Sequence, residues 1–420
     1  MFAQNAQPPS ISRLESLPPE IRRHILLTLD LEEIFTIIQA SAIFYQQYLL
    51  DRTTILRSSL RRTLGGAVIV ARALHRFNHV RMLKKRGPET YEALDDFRHL
   101  LDASHSQPST DTQLTDDEVL DMVVEYHSLI RPVVEKYVEW ALDGLARDTG
   151  TVGEPRSPIS QTERVRILRA FYRFQLYCRM FGSQDDAPSR AYRTWYLEGD
   201  IRISDLLNTL VPWEIEQLVS VNYFAALKYD RIFDSIESDL HPDHPRFADQ
   251  VRPPTPDGAF ELDNVVNRQS LLMGTSSRGI PLLHEIFFKV TDHESLVATM
   301  QKAICLPADL RLDADEFSCL DQAGWERYQD EDEKAQLIGT PLPFRGDSES
   351  HLGTQGNFPP LAWTLMWQGK YSLLFGECIP DWTRDAAYVM WDAERIESTG
   401  ARDKLEKLAP ELSLDIFDYT

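Results

Sequence analysis

The chain has 420 residues, of which 43% are hydrophobic and 26% are charged, a composition typical of soluble globular proteins. Its eight Trp, fifteen Tyr and nineteen Phe exceed what disordered chains contain, so we expect a folded protein. The net charge of −21 argues against a nucleic-acid binder, because phosphate contacts require a surplus of Lys and Arg.

Residues 1–13 are predicted to be a flexible N-terminus, and residues 14–60 a group of short helices. Pro19 fits the first position of a helix, where its missing N–H costs nothing. Asp30 and Glu33 form a capping box for the second helix. Apolar residues line the four predicted helices, namely Ile21, Ile25, Leu26 and Leu29, then Ile34, Ile37, Ile38 and Ala42, then Phe44, Tyr45 and Tyr48, and last Leu56, Leu60 and Leu64.

Three apolar residues precede the first helix as a hook without a helical partner of its own (Leu14, Leu17 and Pro18). Helices of about ten residues form only a small core, since a small domain buries little of its unfolded surface. Both features indicate a piece that another protein completes.

Residues 61–110 are predicted to be a basic helical connector and linker, with residues 67–71 as the best short strand candidate. Residues 1–86 hold 13 Lys and Arg against 6 Asp and Glu, and residues 57–86 hold nine basic residues and no acidic one. This basic stretch could bind an acidic partner, or it could pack on the acidic remainder of its own chain, which is the simpler interpretation.

Residues 111–420 are predicted to form an α-helical body, so the fold class is all-α or mainly α. Capping boxes at Thr115/Glu118 and Ser160/Glu163 each indicate the start of a helix, and Pro132 should divide the first of these. The second, over residues 164–181, is apolar on most faces and should be central. No sequence pattern recurs with a period of 20–50 residues, so a repeat fold is not indicated.

A third helical block is predicted over residues 204–235, with a joint at Pro212. Pro and Gly indicate long loops near 240–281 and 340–360. Further helices are expected over 284–301, 325–337, 361–376 and 382–397. Five Trp in this last part indicate a packed aromatic core (Trp325, Trp363, Trp367, Trp382 and Trp391).

Cys178, Cys305, Cys319 and Cys378 lie far apart in the sequence, which is typical of reduced thiols. The first ten residues lack the pattern of a secretory signal, and no apolar run approaches the ~18 residues that span a bilayer. We therefore expect a cytoplasmic or nuclear protein without a membrane partner.

Motifs for catalysis and metal binding are incomplete. His284-Glu285 resembles the start of a zinc-protease motif, but residue 288 is Phe where the second His would stand. The run from His241 to His244 lacks further spaced ligands, and the run from Gly274 to Gly279 lacks the spacing of a nucleophile elbow. These absences favour a protein without catalytic activity, cofactor or metal.

The order Leu17-Pro18-x-Glu20-Ile21, followed by apolar residues through Ile38, resembles an F-box. In that family the segment binds a Skp-family adaptor and links a protein substrate to an SCF-type ubiquitin ligase. The resemblance implies ten adaptor-binding residues: Leu14, Leu17, Pro18, Glu20, Ile21, Ile25, Leu26, Leu29, Leu31 and Ile34. The motif ends differently from its commonest form, since Ser41-Ala-Ile-Phe44 stands where the family often has Cys or Ser, then Arg-x-Trp.

Three further motifs are similar to those of uncharacterised F-box-like proteins from filamentous fungi. They are the run from Gln46 to Arg52, the step Pro212-Trp213-Glu214, and the run from Tyr388 to Asp392. This second resemblance implies no activity for the body.

Three hypotheses follow for the function of the chain. The first is an F-box adaptor that presents an unknown protein substrate, and the second is an interaction scaffold whose F-box-like helices belong to its own core. The third is an enzyme, which would need a pocket with converging ionisable groups. Burial separates the first two, because a free F-box leaves the hook exposed and a scaffold covers it.

Overall fold

A computed structural model describes residues 13–82, 114–153, 155–182, 210–250, 255–307, 359–367 and 379–407, together with residues 99 and 206. The fold is all-α, as predicted, and no strand occurs in these ranges. The predicted flexible N-terminus, the helix over 325–337 and the loop over 340–358 lie outside the described residues.

Four short helices begin the chain: α1 (Pro19–Thr28), α2 (Leu31–Ala40), α3 (Ala42–Leu50) and α4 (Arg52–Leu64). The predicted capping box at the start of α2 is confirmed, because Asp30 accepts from the Glu33 backbone N–H at 2.8 Å and Glu33 accepts from the Asp30 N–H at 2.9 Å. Gly65 ends α4 with a φ of 51°, which a side chain would disfavour.

A 3-10 turn (Gly65–Ala67) leads into α5 (Val68–Met82), so the strand predicted over residues 67–71 is wrong. The β-branched residues Val68, Ile69 and Val70 suggested a strand. Instead Val70, Ala71 and Leu74 are buried on one helix. Helix α5 packs against the helix that spans Gln161–Phe181. Packing has overridden local propensity here.

The first body helix is divided, as Pro132 predicted, into α6 (Asp116–Glu125), a π-helical turn (Tyr126–Ile130) and α7 (Arg131–Thr149). Helix α8 (Gln161–Phe181) follows. The capping boxes of α6 and α8 are both confirmed. The predicted central position of α8 is confirmed as well, since it contacts α4, α5 and α7 and also α9, which comes next along the chain.

The third predicted block has its joint at Pro212, as expected: Leu206 is helical, Val211 is extended, and α9 (Pro212–Leu240) begins at the proline. The long loop predicted over 240–281 is partly wrong, because it contains α10 (Val265–Ser276) and a 3-10 turn (Pro245–Phe247). Asn264 caps α10 by accepting from the N–H groups of Val266 and Asn267, a signal that the neighbouring prolines obscured. Two more helices follow, α11 (Ile280–Phe288) and α12 (His293–Ala303).

The C-terminal part contains α13 (Leu361–Met366), α14 (Asp381–Asp385), a 3-10 turn (Tyr388–Met390) and α15 (Ala393–Ser398). The single helix predicted over 382–397 is therefore broken. Ala387 has a φ of 49°, in the left-handed region where a helix cannot continue. The aromatic core is confirmed for Trp363 and Trp391, which are fully buried.

One connected group of buried apolar residues runs from Leu26 in α1 to Leu405 near the C-terminal end of the described chain. Helices α1, α2 and α3 all contact α4, and α4 contacts both α6 and α8. The first helices are therefore completed by the body of the same chain. The expectation that their core is unfinished without another protein is not met.

Candidate functional site

Hydrogen bonds to neighbouring helices hold the N-terminal hook in place. The Leu17 N–H donates to the Leu14 carbonyl at 3.3 Å, which closes a turn. Arg22 on α1 donates to the carbonyl oxygens of Glu15 at 2.9 Å and of Leu17 at 2.8 Å. The hydroxyl of Ser41, between α2 and α3, donates to the Glu15 carboxylate at 2.6 Å. The hook is therefore a defined structure.

The ten residues that resemble an F-box fall into three groups by exposure. The exposed group comprises Leu14, Pro18, Glu20 and Ile21, with Leu14 54% and Ile21 46% exposed. The half-buried group comprises Leu17, Ile25 and Leu29. The fully buried group comprises Leu26, Leu31 and Ile34. The structure thus brings the exposed members together at the hook and the start of α1.

Three of the ten residues are not accessible at the surface of this fold, namely Leu26, Leu31 and Ile34. Each has no exposed surface, so none of them offers an area for a partner to contact in this fold. Leu31 is also the first residue of α2. Its N–H donates to the hydroxyl of Thr63 on α4 at 3.0 Å. These three side chains belong to the core that the N-terminal helices share with the body.

Helix α3 adds an apolar surface that the sequence analysis missed. Its residues Tyr45, Leu49 and Leu50 are between 46% and 77% exposed. Together with Leu14 and Ile21 they make five of the eleven large exposed hydrophobic side chains of the described ranges, all within residues 14–50. The signal was present, because α3 carries more apolar residues than one buried face accommodates.

Helices α1 and α3 contact each other and are tied at both ends. Ser41 and Glu15 join them at one end, and an ion pair between Arg23 and Asp51 joins them at the other. We call the exposed apolar side chains of this pair the α1/α3 surface, namely Leu14, Pro18, Ile21, Tyr45, Leu49 and Leu50.

Helix α2 is fixed to the body through one carboxylate. Glu32 accepts from the Tyr126 hydroxyl at 3.1 Å and from Arg164 at 2.9 Å, and it pairs with Arg131 at 3.4 Å. Its partners lie on the π-helical turn, on α8 and on α7. Glu32 therefore connects α2 to three elements of the body.

The basic residues of α4 and α5 pack on the acidic first turn of α6. Arg57 pairs with Asp116, and Arg72 and Arg76 pair with Glu118 at 3.0 Å and 3.6 Å. These contacts support the simpler interpretation of the basic stretch, in which it binds its own chain.

The pKa of Glu118 reports on this contact. Burial would raise the pKa, but the hydrogen bond from Arg72, the Thr115 N–H and the charges of Arg72 and Arg76 together lower it below the ordinary value. A carboxyl whose pKa is lowered on folding stabilises the fold above its unfolded pKa, and this contribution is lost as the pH falls through the folded value.

Replacing Glu118 with glutamine should therefore cost stability in a pH-dependent way. The amide retains the geometry of the capping box but lacks the charge, so we expect a loss of about 1–2 kcal/mol at pH 7. The difference between wild type and variant should shrink as the pH is lowered from 6 to 3, because wild-type Glu118 then takes up a proton. Urea unfolding between pH 6 and pH 3 measures the difference in the free energy of unfolding. If this difference stays constant or grows toward low pH, the charge of Glu118 is not what stabilises the contact.

The buried carboxylates of the body are each engaged by arginine. Glu163, Glu214 and Glu216 are at most 1% exposed. Arg395 donates to both oxygens of Glu163 at 2.8 Å and 2.7 Å, Arg173 donates to Glu214 at 2.7 Å, and Arg384 donates to Glu216 at 2.7 Å and 3.2 Å. We call these contacts the buried ion pairs. They join α8 and α9 to each other and to the C-terminal segment.

Of the motifs considered for metal binding, His284-Glu285 lies on α11. Across the described ranges, no group of three or more His, Cys, Asp or Glu is arranged to hold a metal ion. The rings of His284 and Phe288 lie 5.0 Å apart, so an aromatic contact occupies the place of the second zinc ligand. Of the helices in these ranges, none combines the length and the apolar character that crossing a bilayer requires.

Comparisons with protein families, curated proteins and solved structures find no match to this chain.

Proposed function

We propose that the chain is an F-box-type adaptor without catalytic activity, which binds a Skp-family adaptor and presents a protein substrate to an SCF-type ubiquitin ligase in the cytoplasm or nucleus. The observation that carries this proposal is the α1/α3 surface, where five of the large exposed apolar side chains lie on the hook and on two helices that contact each other. Exposed apolar clusters of this kind mark protein-binding sites.

We take as the proposed contact surface the residues that are exposed, which are the α1/α3 surface and Glu20. Leu14, Pro18 and Ile21 come from the F-box-like motif, and α3 supplies Tyr45, Leu49 and Leu50. A few well-buried side chains account for most of the binding energy of an interface, and tyrosine is enriched among them, whereas the polar rim contributes little.

The body is the proposed substrate-binding part. All of the net negative charge lies after residue 86, because the first 86 residues have a net positive charge. An acidic surface steers partners with basic patches by long-range attraction, without fixing their identity.

One observation favours the alternative, an interaction scaffold that is not linked to a cullin ligase. Leu26, Leu31 and Ile34 belong to the core that the N-terminal helices share with the body, and Glu32 fixes α2 to three body elements. Helices that are integrated in this way need no adaptor in order to fold.

Binding of a purified Skp-family adaptor separates the two functions. The double variant Leu14→Ala/Ile21→Ala removes two exposed anchors, each worth about 1–3 kcal/mol in a typical interface, so we expect its affinity to be at least tenfold lower than that of wild type. Isothermal titration calorimetry on the full chain measures the change. Both side chains are largely exposed, so the fold should tolerate their loss.

The matched control is Val265→Ala/Val266→Ala, which removes two aliphatic side chains of 78% and 75% exposure from the start of α10. It should bind the adaptor like wild type. If wild type shows no binding at all, the scaffold is the better description. If wild type and Leu14→Ala/Ile21→Ala bind equally well, the adaptor uses a different surface.

A further inference from the structure

The segment that connects α7 to α8 contains a Ser-Pro step in an accessible conformation. Residues 155–160 lie outside regular secondary structure, and Ser157 and Pro158 are both exposed. Protein kinases bind substrates in extended form, and a segment outside regular structure supplies this without local unfolding. Ser157 is followed directly by proline, the pattern of proline-directed kinases.

The same segment is bound by an arginine from the other end of the chain. Nη1 of Arg395, on α15, donates to the Ser157 hydroxyl at 3.1 Å and to the Ser157 carbonyl at 3.2 Å. Its Nη2 donates to the Pro158 carbonyl at 2.9 Å. Ser157 is therefore in direct contact with a guanidinium group, although its side chain carries no charge.

The surroundings of the Ser157 hydroxyl favour an anion. Ser157 lies three residues before Ser160, the N-cap of α8. Arg156 is exposed next to it and pairs with Asp143. Glu163 binds Arg395 through Nε and Nη2, so Nη1 is the nitrogen that faces Ser157.

We propose that Ser157 is a phosphorylation site for a proline-directed protein kinase, and that its phosphate binds Arg395 and holds α15 against the start of α8. In the reaction the Ser157 oxygen attacks the γ-phosphorus of ATP, and the bond to the oxygen that bridges the β- and γ-phosphates breaks. ADP leaves, and the hydroxyl proton passes to the catalytic base of the kinase.

Phosphorylation strengthens the contact because it replaces a neutral acceptor with a dianion. Guanidinium–phosphate hydrogen bonds are charge-assisted and stronger than the bond that the hydroxyl accepts. Glu163 keeps its place, since it is almost fully buried and also accepts from the backbone N–H groups of Ser160 and Asp392. This inference concerns the body alone and does not depend on adaptor binding.

The test uses the full chain with ATP and a purified proline-directed kinase. Peptide mapping by mass spectrometry should locate phosphate on Ser157, and Ser157→Ala should lack it. Thr255→Ala and Thr340→Ala control for the two Thr-Pro steps of the chain, and both should leave the modification of Ser157 unchanged. In the phosphorylated chain, amide hydrogen exchange over residues 393–398 should slow by about two- to fivefold, the range for an ion pair at a solvent-exposed site.

A second variant tests which arginine binds the phosphate. Arg156 is largely exposed, so Arg156→Gln should fold normally and should keep the slower exchange of α15 after phosphorylation. Three results overturn the proposal: no phosphate on Ser157 in the native chain, unchanged or faster exchange over 393–398 in the modified chain, or loss of the effect in Arg156→Gln.

Discussion

Replacing Arg384 with methionine is expected to lower the free energy of unfolding by about 3–5 kcal/mol, the range for breaking a buried ion pair by removal of one partner. Glu216 has no exposed surface, and Arg384 donates to both of its oxygens. Methionine retains much of the apolar volume, so the loss comes mainly from a buried carboxylate without its counter-ion. Urea unfolding at pH 7 measures the difference.

Two further variants distinguish the loss of the buried Arg384–Glu216 ion pair from the loss of a positive charge in general. Arg402 pairs with Glu397 and Glu406 on the surface, where all three side chains are about half exposed, so Arg402→Met should cost no more than about 1 kcal/mol. Glu216→Gln combined with Arg384→Met should recover part of the loss, because the amide removes the stranded charge. A double variant less stable than Arg384→Met alone would contradict this account.

Gly144→Ala is expected to destabilise the chain by about 3 kcal/mol, although alanine normally strengthens a helix. Gly144 lies on α7 where α14 crosses it, and an added Cβ would lie 1.7 Å from the Asp385 carbonyl oxygen and 2.7 Å from its carbon. These are backbone atoms, so α14 would have to move. Thermal unfolding of the full chain provides the measurement.

Gly66→Ala is the matched control, because no atom lies within 4 Å of its added Cβ and its φ is not positive. It should be neutral or slightly stabilising, through the lower entropy of the unfolded chain. If Gly144→Ala were as stable as Gly66→Ala, the close packing of α7 on α14 would be wrong.

The parts of the fold that the sequence predicted well depend on local interactions. The capping boxes at Asp30, Thr115 and Ser160 each involve residues three apart, so a single stretch of sequence contains both partners. The division at Pro132 has the same origin, since proline acts on its own helical turn. The all-α class follows from many such signals together.

The predictions that failed depend on contacts between distant residues. Residues 68–70 are β-branched and resemble a strand, yet they form a helix because α8 covers it. The break at Ala387 has no sequence signal, because alanine is a strong helix former. The buried ion pairs join residues up to 232 positions apart, and none of the 65 carboxylates is marked in the sequence as a partner.

The candidate site was predictable only in part, for the same reason. The F-box-like motif locates Leu14, Pro18 and Ile21, but it does not distinguish them from Leu26, whose burial depends on the body. The exposure of Leu49 and Leu50 likewise depends on which face of α3 packs against α2 and α4.

The buried ion pairs also bear on how the chain folds during its synthesis. Glu163 leaves the ribosome 232 residues before Arg395, a delay of about 10–50 s at typical rates of translation. For much of that interval Glu163 on α8 and Glu216 on α9 have been made but Arg395 and Arg384 have not, so burying these two carboxylates would carry the cost of desolvating a charge without its arginine. A nascent chain that stalls before residue 384 would remain open, and chaperones and proteases could recognise it as incomplete.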